Sequence, residues 1–171
     1  MQTKPTAAFT LIELLLTLSL FIFLATLTIP LPSFFTKALV KSEVEQLHTT
    51  FSFLQQKALA TGAKQKLSFD ISNNRYTYQL KSKLVTHTLP AKVSFDFLPN
   101  ALGPPSKANR PITQASTFGA YITFFPDGTI TPGTIYLVDN NKKIMNALTV
   151  PVSDVSYVRK YRYGDKRWVC F

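Results

Sequence analysis

Residues 9–29 read Phe9-Thr-Leu-Ile-Glu-Leu-Leu-Leu-Thr-Leu-Ser-Leu-Phe-Ile-Phe-Leu-Ala-Thr-Leu-Thr-Ile29, and Glu13 is the only ionisable side chain among them. A helix that spans a bilayer needs roughly 20 mainly apolar residues to cross about 30 Å of hydrocarbon. The run meets this length before Pro30 interrupts it. We therefore expect residues 9–30 to form a transmembrane helix that anchors the rest of the chain.

A cleaved secretory signal peptide is the main alternative for this region. Such peptides begin with a basic stretch, continue with about 7 to 15 apolar residues and end at a small-residue cleavage site. Here the small residues Ala7 and Ala8 precede the apolar run, and the bulky segment 30–35 follows it. Cleavage between Ala8 and Phe9 would remove residues 1–8 as a leader and leave the apolar helix attached.

The carboxylate of Glu13 is costly in this setting. A charged side chain in the apolar part of a membrane helix costs roughly 2.5–3.5 kcal/mol on insertion scales, and it usually has a partner. Glu13 lies one helical turn from the amino terminus that cleavage would create at Phe9. Two interpretations follow: the carboxylate meets a cation near the membrane surface, or it snorkels to the interface.

A known processing site has the same residues. The stretch Ala8-Phe9-Thr-Leu-Ile-Glu-Leu-Leu-Leu16 resembles the cleavage and methylation site of type IV pilins and pseudopilins, whose usual form is Gly-Phe-Thr-Leu-Ile-Glu-Leu. The resemblance implies a leader removed by a prepilin peptidase, N-methylation of Phe9, and pairing of Glu13 with the terminal amine of a neighbouring subunit. Pro30 falls where pilin helices commonly carry a kinking proline. Ala8 replaces the usual Gly, and we expect processing to survive this smallest possible change.

The charge of the chain lies beyond the anchor. Lys4 and Glu13 are the only charged residues before Pro30, so the domain that follows carries the whole net charge of +10. This balance indicates polyanionic partners: nucleic acid, anionic lipid or an acidic neighbour in an assembly. Charges do not set the orientation, because Lys37 and Lys41 oppose Lys4 across the apolar run. The pilin resemblance implies one pass through the bacterial inner membrane, with the carboxyl-terminal domain in the periplasm or outside the cytoplasm.

Residues 31–62 predict an amphipathic continuation of the first helix, to about residue 60. Lys41, Glu43, Glu45 and Gln55 are predicted on the polar face, and Gly62 is a natural stop. Apolar residues recur at steps of three and four, which places them on one face of a helix. They are Val40, Val44, Leu47, Phe51, Leu54 and Ala58.

Residues 63–171 predict an antiparallel β domain, because alternating patterns replace the helical period. The predicted fold class is therefore α+β and pilin-like: a long amino-terminal helix packed on one or two antiparallel sheets. Strands are predicted at residues 66–71, 76–80, 84–89, 92–98, 120–125, 133–138, 144–150 and 155–163. Residues 99–117 read as a long loop.

A second resemblance lies in the β domain. Phe124-Phe-Pro-Asp-Gly-Thr129, followed by Gly133-Thr-Ile-Tyr-Leu137, resembles the H-type minor pseudopilins and their minor-pilin relatives of the FimT kind.

The carboxyl end combines cations with aromatic residues. Cations contact phosphates without sequence preference, and aromatic faces stack on bases. The carboxyl end resembles the arginine-rich tail with which FimT-like minor pilins of DNA-uptake systems bind DNA. The alternative is a solvated edge strand, whose charges discourage aggregation. The candidate DNA-binding residues are Arg159, Lys160, Arg162, Lys166 and Arg167.

Catalysis has little support in the sequence. His48, His87 and Cys170 form no metal-binding pattern, and neither a nucleophile elbow nor a glycine-rich phosphate loop is present. We expect a protein that is not an enzyme and needs no metal or cofactor. Cys170 cannot form an internal disulfide; it is either a small terminal apolar residue or pairs between molecules.

Three functional hypotheses follow. The first is a minor pseudopilin or pilin subunit of a type II secretion or type IV pilus-like machine. Its partners would be the prepilin peptidase, other pseudopilins in a filament and inner-membrane lipid. The second is a FimT-like minor pilin that binds DNA through its basic carboxyl end. The third is a membrane-anchored domain that never assembles.

Overall fold

The structure is a computed structural model that describes residues 10–28, 32–107, 109–152 and 157–171. The chain forms two compact units, Met1–Phe35 and Thr36–Phe171. Helix α1 (Leu11–Thr28) belongs to the first unit. Helix α2 (Pro32–Thr61) begins at the end of the first unit and continues through the second. The predicted role of Pro30 lies outside the described residues.

Helix α1 exposes apolar side chains in all directions. From Leu11 to Leu24, its large apolar side chains are between 49% and 79% exposed. Its hydroxyls are satisfied within the helix, since Thr17 and Ser19 donate to the backbone carbonyls of Leu14 and Leu16. Within the described residues, no helix combines the length and the hydropathy that crossing a membrane requires.

Helix α2 buries the predicted apolar stripe. All six of its side chains, from Val40 to Ala58, are fully buried. The helix ends at Thr61, and Gly62 follows with a φ of +63°, the left-handed conformation that commonly terminates helices at glycine. The placement of Glu43 on the polar face was wrong. This side chain is only 7% exposed, because a histidine from the β domain covers it.

The β domain consists of two antiparallel sheets, which confirms the predicted α+β class. The first sheet has four strands in the order β3-β2-β1-β5, and the second has five in the order β4-β6-β7-β8-β9. The strands are β1 (Gln65–Asp70), β2 (Arg75–Leu80), β3 (Lys83–Thr88), β4 (Val93–Ser94), β5 (Tyr121–Phe124), β6 (Gly133–Asp139), β7 (Met145–Val150), β8 (Arg159–Gly164) and β9 (Arg167–Cys170).

Strand β4 is much shorter than the predicted strand 92–98. The backbone N–H of Phe95 donates to the side chain of Asn74, and that of Phe97 donates to Asp96 Oδ1. The N–H of Leu98 donates to the sulfur of Met145. Side chains thus take the donors that a longer strand would have offered to its neighbour.

Two apolar clusters fill the domain, one on each face of β7. Leu148 and Val150 join the cluster that contains the α2 stripe. Met145 and Ala147 join a second cluster that includes Tyr136. This split follows from the strand itself, because successive side chains point to opposite faces of a sheet.

Candidate functional site

Glu13 lies in the first turn of α1 and is bonded to Thr10. The backbone N–H of Glu13 donates to Thr10 Oγ1 at 3.3 Å, and the N–H of Thr10 donates to Glu13 Oε2 at 3.4 Å. This reciprocal pair is a capping box, which satisfies two backbone donors at the start of a helix. Sequence reasoning missed it, although the Thr-x-x-Glu spacing was present.

No cation in the described parts of the chain forms a salt bridge with Glu13. Thr10 therefore supplies the polar contacts that the structure gives this carboxylate. Ala8 and Phe9 lie outside the described residues. Cleavage between them, methylation of Phe9 and pairing of Glu13 with an amine stay predictions.

The five predicted DNA-binding cations lie on β8, β9 and the turn between them. Four of them are exposed: Arg159, Arg162, Lys166 and Arg167. Lys160 is engaged instead, since its ammonium contacts both carboxylate oxygens of Glu45 on α2. The structure thus separates one structural cation from the predicted set.

Three aromatic residues of the carboxyl end pack against the body of the domain: Tyr161, Tyr163 and Trp168. The ring of Trp168 lies 5.9 Å from that of Tyr136 and 4.9 Å from that of Tyr163. Its indole N–H donates to the backbone carbonyl of Leu102 at 2.7 Å. Tyr161 packs on the same cluster. These packed rings stabilise β8 and β9, whereas Tyr157 is 44% exposed.

A second polar cluster joins α2 to the β2–β3 hairpin. His87 Nε2 lies 2.9 Å from Glu43 Oε2, and the side-chain amide of Gln46 lies 3.1 Å from His87 Nδ1. Both ring nitrogens of His87 thus have a polar partner, one on each side of the ring. The Tyr76 ring packs 4.9 Å from His87, and burial raises the pKa of Tyr76 to about 12. This cluster is a structural contact between helix and sheet.

Among the described residues, no group of three His, Cys, Asp or Glu side chains is placed to hold a metal ion. Cys170 is an exposed free thiol at the end of β9.

The chain is similar to known proteins of one family, and the family match includes most of α2 and strands β1 to β7. A family model described as "Type II transport protein GspH" matches residues 43–153. A structure of the minor pseudopilin EpsH from the type 2 secretion system of Vibrio cholerae has a TM-score of 0.52 at 16% identity, covering 74% of this chain and 98% of that one. A crystal structure of the same pseudopilin has a TM-score of 0.50 at 15% identity, covering 75% and 97%. No curated protein sequence matches.

The family match does not depend on the processing motif, because the matched residues begin at residue 43 and the motif ends at Leu16. The two EpsH structures support the fold alone, because their sequences are distant. The family model, in contrast, covers more than half of the chain and includes strands β1 to β7. The chain belongs to the GspH family of type II transport proteins.

Proposed function

We propose that this chain is a minor pseudopilin, which is inserted in the bacterial inner membrane by a single apolar helix and then assembled into a filament for protein secretion. Prepilin peptidase cleaves between Ala8 and Phe9, Phe9 is N-methylated, and the helix packs among those of other pseudopilins. The proposal depends on one observation: helix α1 exposes its apolar side chains and carries one carboxylate, Glu13, which a hydrogen bond holds at its amino end.

An exposed apolar helix needs a cover. Burial of apolar surface is favourable by roughly 25 cal/mol per Å², and α1 exposes large apolar residues along its length. Lipid covers such a helix before assembly, and the helices of other subunits cover it within a filament. The sequence supports this further, since residues 9–29 have no second charge.

The position of Glu13 supports a role in subunit pairing. The capping box keeps its carboxylate at the amino end of α1, where the helix dipole favours a negative charge. A cleaved chain begins at Phe9, so a neighbour's terminal amine is a cation of suitable kind for the same region. Pairing with that amine offsets the cost of a carboxylate in hydrocarbon.

Two substitutions separate capping from pairing. Glu13→Gln keeps a capping side chain but removes the charge, whereas Glu13→Val removes both. Thr17→Val, one turn along α1, is the matched control for loss of a polar side chain. We expect mass spectrometry to show a normal amino terminus at Phe9 in all three variants. Crosslinking to other pseudopilins should be lost in both Glu13 variants and retained in Thr17→Val. Normal crosslinking of Glu13→Gln would refute the pairing.

DNA capture is a second candidate, favoured by the exposure of Arg159, Arg162 and Arg167 on β8 and β9. The test is a gel-shift assay on the full chain in neutral detergent, with these three residues changed to Gln. The matched control changes Lys83, Lys92 and Lys143, which are also exposed, to Gln. Loss of binding in the arginine variant alone would support DNA capture, and equal binding by both variants would exclude it.

A further inference from the structure

A small cavity lies between residues 37–41 of α2 and the five-stranded sheet. Its volume is about 80 Å³, and it is lined by Lys37, Lys41, Asn146, Arg162 and Phe171. This volume is far below the roughly 300 Å³ at which pockets for drug-sized ligands begin. The cavity therefore suits a small group, such as the polar head of a larger molecule.

Three of the lining residues are cations: Lys37, Lys41 and Arg162. Among the described residues, the salt bridges include none that involves Lys37, Lys41 or Arg162. Lys41 instead lies 5.8 Å from the centre of the Phe171 ring. Like charges held close together repel, and an anion placed between them removes that repulsion.

Asn146 supplies the second observation. The residue is 2% exposed, and its Oδ1 atom is buried without a hydrogen-bond partner in the described parts of the chain. It is the cross-strand partner of Arg162 in the β7–β8 pair. Buried acceptors nearly always have a donor in native proteins. A ligand that enters the cavity would provide one.

The two observations together define the ligand. The cations select an anion, and Asn146 Oδ1 requires that the ligand also donate a hydrogen bond. A phosphodiester whose head group carries a hydroxyl meets both requirements. A choline head group has no donor, and the ammonium of an ethanolamine head group is repelled by the three cations. The exposed Phe171 ring adds an apolar wall.

We infer that this cavity binds the phosphoglycerol head group of an anionic phospholipid. In the sequence, Lys37 and Lys41 are the first cations after the apolar run. Basic residues in that position attract anionic lipids at a membrane surface. The inference rests on the proposed function, because it requires the apolar helix to be in a membrane. Inorganic phosphate shares the same chemistry, and the test distinguishes the two.

The experiment is isothermal titration calorimetry on the full chain in neutral detergent micelles. The ligands are short-chain phosphatidylglycerol, short-chain phosphatidylcholine, inorganic phosphate and a short DNA duplex. We expect saturable binding of the phosphatidylglycerol and none of the phosphatidylcholine. Asn146→Asp, which places a carboxylate in the cavity, and Arg162→Gln should each weaken binding by about tenfold or more. Lys83→Gln, an exposed lysine of the other sheet, should change it by less than about twofold.

Several outcomes would overturn the inference. They are absence of saturable phosphatidylglycerol binding, equally tight binding of inorganic phosphate, and DNA that competes for the same site. Because Arg162 is exposed, its substitution keeps the test informative even if Asn146→Asp disturbs folding. Glu13→Gln should bind the lipid as the wild type does, so failure of filament assembly is distinguishable from failure of this site.

Discussion

Lys160 on β8 contacts both carboxylate oxygens of Glu45 on α2, at 2.8 and 2.7 Å. The pair joins residues 115 positions apart in the sequence and fastens the carboxyl-terminal strands to the helix. The ammonium is only partly exposed and contacts both oxygens, so we expect this ion pair to be stronger than a fully exposed one. Lys160 is thereby placed among the structural cations of the domain.

Breaking this pair should destabilise the domain modestly. Lys160→Gln should cost about 1 kcal/mol, because partly exposed ion pairs contribute little more than that. The expected fall in Tm is about 2–4 °C for a chain of this length. Lys142→Gln, which breaks the more exposed pair with Asp96, is the control and should cost less. Circular dichroism measures both, and equal effects would show that the contact with Glu45 has no special weight.

The contact between His87 and Glu43 should matter more. Glu43 is buried, so His87→Ala leaves a carboxylate without its partner and should cost about 2–3 kcal/mol. Glu43→Gln should cost less, because an amide oxygen still accepts the histidine proton and no charge is buried. Urea unfolding of each variant gives the free energies. A larger loss for Glu43→Gln than for His87→Ala would contradict this account.

Two phenylalanines of α2 form a matched pair. Phe51 is fully buried and packs edge-on against Phe124, with ring centres 5.4 Å apart. Phe53 is 41% exposed. Phe51→Ala should cost about 3–5 kcal/mol through lost burial and cavity formation, whereas Phe53→Ala should cost about 1 kcal/mol. Similar losses of free energy of unfolding would show that the predicted stripe does not carry the core.

His48 should make stability depend on pH. Its burial, followed by the charge of Lys160, lowers the pKa of His48 from 6.5. At a pH between the lowered pKa of the folded chain and the pKa of about 6.5 in the unfolded chain, the unfolded chain binds more protons than the folded one. The stability that His48 contributes is therefore lost as the pH falls below about 6.5. The Tm should therefore fall more from about pH 7.5 to about pH 5.5 in the wild type than in His48→Gln. Parallel curves for the two proteins would contradict this.

The sequence predicted the fold well wherever one element alone decided the pattern. The stripe from Val40 to Ala58 follows from helical spacing, and seven of the nine strands overlap closely with predicted alternating segments. Strand β4 was overestimated because side chains from distant positions compete for its donors. Strand β9 was not predicted, since its short run of mixed residues becomes a strand only beside β8.

The sites show the same limit. The local motif singled out Glu13 as a candidate, and its hydrogen-bond partner Thr10 was readable from the same few residues. The burial of Glu43 depends on His87, 44 positions later. The cavity at Asn146 needs residues from α2, β7 and β8, so no local pattern reveals it. Contacts between elements are fixed by topology, which residue spacing does not encode.

The hydrogen bonds of the capping box between Thr10 and Glu13 are long, which bears on when the Glu13 carboxylate can change its partner. At 3.3 and 3.4 Å they are weak hydrogen bonds. In the proposed filament, the terminal amine of a newly added copy would offer the carboxylate a stronger, charged hydrogen bond and would displace the Thr10 hydroxyl at little cost. On that proposal the capping box is a reversible contact, which holds the Glu13 side chain in position in a single subunit and gives way when a neighbour arrives.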